Sequence, residues 1–397
     1  MSTSAGEIKG EVRGYVEGYY GKLLSWTERS DLVKFLASLQ LNTYCYAPKE
    51  DTHHRLHWRE PYGSNWHQSF SQFCTLARDH NVSIVAGIAP GLDFNHKDST
   101  SDFNHLNSKA SKLLNDGADK ILVLWDDIEA TSTDDLGNLS EGAAHAQIVN
   151  QLAVKLKRPV WTVPRVYAAE IENNNCYLED FFTTLDPQHT VLLCGNAIVA
   201  SSISQTDLYG LSRSNIGTNK LKHRTVVWDN FYANDYCPRR LFTGPWTGRE
   251  AIDEYLINPT GMPYTDQLLL DIASSTHTSQ DTCKEWADAL KRHGVPDAFQ
   301  SIAPYFSKPF FGDRIIVGDE QDFDTTNPTI ANPTITIERA IEECLWKWKS
   351  PLAREWYPFI FGLKHDLALH QGTLPRDRIL KTQTTNLAGT LINNSTS

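Results

Sequence analysis

Two adjacent carboxylates, Asp126 and Asp127, end the apolar run Ile121-Leu-Val-Leu-Trp-Asp-Asp-Ile128. Such a pair is equipped for acid–base chemistry. Burial raises a carboxyl pKa, and a like charge alongside raises one member further. One carboxyl can then carry a proton near neutrality while the other stands as an anion, the division that general acid–base catalysis requires. A solvated Asp-Asp turn or a helix N-cap is the competing reading. An apolar run of this length, however, reads as a buried parallel strand, which puts the pair at its C-terminal mouth.

From residue 11 to about 260, short apolar runs alternate with amphipathic segments. The strand candidates are Arg13–Tyr20, Asn42–Ala47, Ser83–Ala89, Lys120–Trp125, Val160–Val163, Thr190–Gly195, Thr225–Trp228 and Tyr255–Ile257. Helical patterns lie between them at Thr27–Leu39, Trp66–His80, Phe103–Asn115 and Ser140–Leu156, with a weaker one at Gln205–Ser212. Eight βα units in roughly 250 residues predict a (β/α)8 barrel rather than an open doubly wound sheet. No Gly-x-Gly-x-x-Gly follows the first run, which weakens a dinucleotide-binding alternative. A barrel gathers the polar residues after its strands on one face: Glu17-Gly18-Tyr19-Tyr20-Gly21, Pro48-Lys49-Glu50-Asp51, Pro90-Gly91, Asp126-Asp127, Arg165 and Tyr167, Gly195-Asn196, Asp229-Asn230 through Asn234-Asp235, and Asn258-Pro259.

Beyond about 265 the alternation stops, and Asp266–Ser275, Ser279–Arg292, Ile337–Lys349 and Arg354–His370 read as helices around a Pro/Asp/Thr-rich loop at Phe323–Pro333. The expected organisation is therefore a short segment 1–10, a catalytic barrel 11–264, and a helical domain 265–397 with a frayed tail, Leu387–Ser397. The aromatics Trp286, Trp346, Trp348, Trp356, Tyr357, Phe359 and Phe361 are expected to pack the core of that domain and its junction with the barrel.

The 397 residues carry a net charge of −11, which argues against nucleic acid as the main partner, since phosphate binding needs a basic surface. No stretch approaches 18 consecutive apolar residues and the first ten are polar, so neither a membrane span nor an export signal is expected. Seven scattered cysteines without a Cys-x-x-Cys pair read as reduced thiols, and a cytoplasmic setting is expected.

Four segments carry a specific resemblance: Arg13-Gly-Tyr-Val-Glu-Gly-Tyr-Tyr-Gly21, Leu41-Asn-Thr-Tyr-Cys-Tyr-Ala-Pro-Lys49, Trp125-Asp-Asp-Ile128 and Val227-Trp-Asp-Asn-Phe-Tyr-Ala-Asn-Asp-Tyr236. Over residues 11–265, in this order and spacing, the chain resembles glycoside hydrolase family 84, the O-GlcNAcases and related β-N-acetylglucosaminidases. The resemblance implies a retaining mechanism in which the substrate's 2-acetamido oxygen is the nucleophile, one of the exceptions to the protein-nucleophile pattern. It implies that Asp126 accepts the acetamido N–H, and that Asp127 is first general acid and then general base. Gly18 and Lys49 would hold ring hydroxyls. Asn230, Asp235 and Asn258 would bond hydroxyls or the acetamido region. Tyr167 would donate to the acetamido oxygen, and Trp228 would wall the methyl pocket. No cofactor and no metal are implied; the partner would be a GlcNAc-bearing glycoprotein, glycopeptide or oligosaccharide, and a homodimer is compatible with the resemblance.

Other readings compete with this one. His53-His54-Arg-Leu-His57 with Glu50 and Asp51 nearby superficially resembles a metal site, yet lacks a recognised ligand spacing. A hexosaminidase for free GlcNAc-terminated oligosaccharides, and a GlcNAc-binding protein without activity, are the remaining alternatives; the intact aspartate pair argues against the second.

Overall fold

The computed structural model describes residues 10–136, 138–171, 176–212, 223–277, 279–307, 309 and 336–373. The loop Phe323–Pro333, the tail Leu387–Ser397 and all but the last residue of the segment 1–10 lie outside them.

Eight parallel strands close in chain order: β1 (Arg13–Glu17), β2 (Thr43–Tyr46), β3 (Ser83–Ile88), β4 (Lys120–Leu124), β5 (Trp161–Val163), β6 (Thr190–Leu193), β7 (Arg224–Asp229) and β8 (Tyr255–Ile257). Closure comes from β1 pairing with β8, Tyr15 opposite Ile257. This is the (β/α)8 barrel. The connections hold α1 (Trp26–Ser38), α2 (Ser64–Asp79), α3 (Ser99–Asn115), α4 (Thr133–Leu136), α5 (Glu141–Leu156), α6 (Tyr177–Thr184) and α7 (Gln205–Ser212), and α8 (Pro263–Thr276) follows β8. The seventh unit departs from expectation, because no helix separates β7 from β8. Its turn-rich segment is pinned instead by Asp229, whose buried carboxylate accepts from Arg249 Nε (3.0 Å), Trp246 Nε1 (2.7 Å) and the Phe231 amide (3.0 Å).

Strand periodicity decides which residues look inward. Successive side chains of a strand point to opposite faces. Val16, Cys45, Ala47, Leu122, Leu124, Cys194, Val226, Trp228 and Leu256 fill the barrel interior. One step further in the same parity stand Gly18, Lys49, Asp126, Asn230 and Asn258. Residues of the opposite parity meet the helices. Tyr15 donates to Asp266 of α8 (3.0 Å), and Glu17 takes both Arg29 donors of α1 (2.8 and 2.7 Å) plus the Tyr44 hydroxyl (2.7 Å). Trp125 stacks on His145 of α5 with centroids 4.1 Å apart. Two of the polar strand ends grouped by sequence, Glu17 and Asp229, therefore serve structure, as does Arg165, which pairs with Glu141 (2.7 Å). Among the described residues no helix is long and apolar enough to cross a membrane.

The chain divides into two compact units. The first holds the barrel and, beyond residue 264, α8 and most of α9 (Thr282–Arg292), up to Ala289. The second contains Cys237–Leu241, Leu290–Ser307 and the described residues from 336 onward, with α10 (Ile337–Glu342), a π-helical turn Glu343–Lys347 and α11 (Pro351–His370). Its core is centred on Trp356, fully buried between Phe299 (4.9 Å) and Trp348 (5.5 Å). The aromatics expected to pack this core and its junction with the barrel divide between the two units. Trp286 belongs to the first unit, donating to the Thr243 carbonyl (2.6 Å), while Trp346 and Tyr357 are exposed on the second.

Candidate active site

The nine residues singled out from the sequence come together around one cavity of about 610 Å³ at the C-terminal ends of the strands: Gly18, Lys49, Asp126, Asp127, Tyr167, Trp228, Asn230, Asp235 and Asn258 all line it. Its floor is apolar, formed by Val163, Leu192, Cys194, Ile198 and the Trp228 ring. A pocket of this size with an apolar lining and a few convergent polar groups suits a small polar ligand with one apolar group.

Lys49 is the electrostatic centre. Its ammonium contacts Asp126 Oδ2 directly and lies 3.5 Å from Asp127 Oδ2. Asp126 is buried, and its other oxygen, Oδ1, has no hydrogen-bond partner among the protein groups. A buried carboxylate oxygen normally finds a donor, and Asp126 lines the cavity, so an unpartnered oxygen on this residue is a candidate acceptor for a ligand N–H or O–H.

Asp127 is differently placed. Its Oδ1 accepts from the Tyr167 hydroxyl (2.7 Å) and its Oδ2 from the Tyr20 hydroxyl (2.8 Å). Burial pushes the carboxyl up, but Lys49, the two phenols and Arg55 outweigh it and hold Asp127 below the usual carboxylate range. Burial, with Asp127 alongside, pushes both phenols well above their ordinary value, so they remain donors. The Asp127 backbone is left-handed, φ 53°, which costs a non-glycine residue about 1 kcal/mol or more.

The far wall is a relay of amides. Asn230 Oδ1 accepts from Trp228 Nε1 (3.0 Å) and Asn258 Nδ2 (2.9 Å), while Asn230 Nδ2 donates to the Ile198 carbonyl (2.9 Å). Asn258 Oδ1 receives the Gly18 amide (3.2 Å), and Asp235 Oδ2 receives the Tyr20 amide (3.0 Å). These side chains fix the indole and the Gly18–Tyr20 turn as well as facing the cavity. Among the described residues no group of three or more His, Cys, Asp or Glu is arranged to hold a metal ion. Of the histidines near Asp51, His54 is fully buried, its Nδ1 on the Gly87 carbonyl (3.0 Å), and burial holds its imidazole down to about 3, so it is neutral.

Residues 13–303, well over half of the chain, match the family model described as beta-N-acetylglucosaminidase. The chain belongs to the β-N-acetylglucosaminidase family. It is 30% identical over 256 residues to the protein O-GlcNAcases of Rattus norvegicus and Mus musculus, a match that covers 62% of this chain and 27% of each relative. The chain thus spans about a quarter of the length of the curated relatives it matches. Among solved structures it is similar to CpGH84B (26% identity, TM-score 0.65, 76% of this chain and 55% of that one). It also shares the fold of a mutant of the Thermobaculum terrenum O-GlcNAc hydrolase (21% identity, TM-score 0.72, 89% and 81% coverage).

In this β-N-acetylglucosaminidase family member the closeness of Gly18 to the indole is itself a test of the pocket. A Cβ added at Gly18 would lie 2.2 Å from the Trp228 ring and 3.3 Å from Asn258 Oδ1. Gly18→Ala is therefore expected to displace Trp228 and weaken binding of N-acetylglucosamine at least tenfold by calorimetry, a loss of about 1.4 kcal/mol, and to lower the unfolding temperature as well, because the added methyl overpacks a buried ring. Unchanged affinity would mean that the indole does not wall the sugar site.

Sequence reasoning left out Tyr20, Arg55 and the apolar floor. Tyr20 lay inside the first motif, and its aromatic hydroxyl beside a glycine turn was a usable signal. Arg55 lay inside the histidine cluster, where ligand chemistry drew attention from it. Val163, Leu192 and Cys194 carry no chemical signature; only barrel closure turns them toward the carboxylates.

Proposed function

We propose that this chain is a retaining, exo-acting β-N-acetylglucosaminidase in which the substrate's acetamido oxygen is the nucleophile, and that it removes O-linked GlcNAc from Ser or Thr of proteins. The observation that supports this best is the unpartnered Asp126 Oδ1 beside Asp127, over an apolar floor. An acetamido group placed there would give its N–H to Asp126 Oδ1 and its methyl to the floor and the Trp228 ring. Its oxygen would then face the anomeric carbon.

In the first step the acetamido oxygen bonds C1, the bond from C1 to the glycosidic oxygen breaks, and that oxygen takes the proton of Asp127. Asp126, ion-paired with Lys49, stabilises the positive charge that develops on the oxazoline. In the second step water bonds C1 and gives its proton to Asp127, the acetamido oxygen leaves, and the anomeric configuration is retained. A general acid must enter protonated, whereas the surroundings of Asp127 favour its anion. Asp127 is exposed in the free protein. Bound sugar would cover it and turn Lys49 and Tyr167 toward substrate hydroxyls and the acetamido oxygen, and that desolvation would raise its pKa and let it carry the proton.

Protein substrates are proposed because the matched relatives are protein O-GlcNAcases. None of the seven cysteines is joined in a disulfide, which supports a reducing, cytoplasmic setting. The deciding test is hydrolysis of aryl N-acetyl-β-glucosaminides whose acetamido methyl carries zero to three fluorines. Substrate assistance predicts a steep fall in kcat/KM with each fluorine, because the carbonyl oxygen becomes a poorer nucleophile. A flat series would point to a protein nucleophile, and no turnover to a binding protein. Rates on a GlcNAc-bearing peptide and on a chitin disaccharide would separate protein from oligosaccharide substrates.

A further inference from the structure

Adjacent residues at a strand end point to opposite faces, so an Asp-Asp pair diverges by default. Asp126 follows the inward parity of Leu122 and Leu124; Asp127, past the end of β4 and with a left-handed backbone, lines the same cavity. A strained conformation at a functional site persists when its surroundings over-determine it. Those surroundings include Arg55, a buried guanidinium on the loop after β2. Arg55 Nη2 donates to the Asp127 carbonyl (2.6 Å) and Nη1 to the Tyr20 hydroxyl (3.0 Å), which in turn donates to Asp127 Oδ2. The loop is itself anchored, since the His54 carbonyl accepts the Ala89 amide (2.9 Å) and its ring bonds Gly87 at the end of β3.

We propose that Arg55 is the positioning residue of the catalytic pair, clamping Asp127 at its carbonyl and, through Tyr20, at its carboxylate, and so aiming that carboxyl at the glycosidic oxygen. This rests on the reading of Asp127 as the general acid. The fork is essential to the geometry, because one planar guanidinium reaches two acceptors in fixed directions and an ammonium does not. The arrangement gives the histidine-rich segment a role without a metal: His54 anchors, Arg55 aims.

The test compares Arg55→Met and Arg55→Lys in the full chain across aryl N-acetyl-β-glucosaminides from dinitrophenol to unactivated phenol. Arg55→Met is expected to lower kcat roughly 100-fold for unactivated phenol and less than about tenfold for dinitrophenol, with KM little changed. The charged and titratable groups facing Asp127 are Asp126, Lys49, Arg55, Tyr20 and Tyr167. Removing the Arg55 cation destabilises the Asp127 anion, so the high-pH limb of kcat/KM moves upward in Arg55→Met. Arg55→Lys keeps the charge and leaves the limb in place, yet shows the same leaving-group split. Losses equal for all leaving groups with an unmoved limb, or no loss, overturn the proposal. Asp127→Asn in the same series separates the two ideas. If it is flat across leaving groups, the acid reading fails. If it is steep while Arg55→Met is flat, only the role of Arg55 fails. Should Arg55→Met not fold, the leaving-group split of Arg55→Lys decides alone.

Discussion

Replacing Asp127 by alanine is expected to lower kcat/KM by roughly 10²–10⁴ for a GlcNAc peptide or an alkyl glycoside, the usual contribution of a positioned acid. For a dinitrophenyl glycoside the loss should be below about tenfold, because that leaving group departs without a proton. The slope of rate against leaving-group acidity is the measurement, and a uniform loss would remove Asp127 from the acid role. The pH behaviour carries a sign of its own. Lys49, Tyr167, Tyr20 and Arg55 more than offset burial and hold Asp127 below the ordinary carboxylate range. Its ionised form therefore stabilises the fold above about pH 4, and that contribution is lost as pH falls toward the lowered value. For turnover the acid must be protonated. The high-pH limb of kcat/KM reports the free protein and that of kcat the complex. Because the proposed mechanism turns Lys49 and Tyr167 toward bound sugar, the limb of kcat is expected at higher pH than that of kcat/KM. Coincident limbs would mean that substrate leaves the surroundings of Asp127 unchanged.

Asp126→Asn is expected to behave in the opposite way: a loss of roughly 10²–10³, similar for good and poor leaving groups. The reason lies in what each carboxylate touches. Asp126 contacts Lys49 through one carboxylate oxygen, leaves the other unpartnered, and lines the cavity. In the proposed mechanism its negative charge stabilises the positive charge of the oxazoline, which would form whatever the leaving group is. An asparagine turned to present its carbonyl can still accept the acetamido N–H, but it cannot neutralise that charge. It also leaves Lys49 with only the longer 3.5 Å contact to Asp127, so a modest drop in unfolding free energy should accompany the kinetic loss. The fluoroacetyl series measured on this variant is the check. A slope equal to that of the parent protein would separate Asp126 from the nucleophilic step.

Much of this was legible in the chain itself. The eight strands, five of the helices between them, the closed parallel barrel they imply, and the aspartate pair at the mouth of β4 follow from periodicities that depend only on neighbouring residues; α6 carried too short a pattern to be read. The four motifs held seven of the nine candidate site residues, Tyr167 and Asn258 came from other strand ends, and all nine line one cavity. Their local pattern missed two kinds of fact. Strand ends look alike whichever way their side chains point. Glu17 and Asp229 sit at strand ends as Asp126 does, yet the parity of their strands turns them to Arg29 and Arg249. The helixless seventh connection was hidden for a similar reason, because Trp246 and Arg249 read as ordinary loop residues until Asp229 collects them.

The sequence by itself determined the barrel and the family and singled out two carboxylates that line the cavity, because these rest on period, order and local motifs. Tertiary structure alone decided that the two neighbours face one cavity. Nothing in Trp-Asp-Asp-Ile announces a left-handed Asp127, or that an arginine 72 residues earlier in the chain holds its carbonyl. Short-range pattern records what a segment prefers. A strained backbone and the charges that sustain it exist only once distant loops have closed upon them.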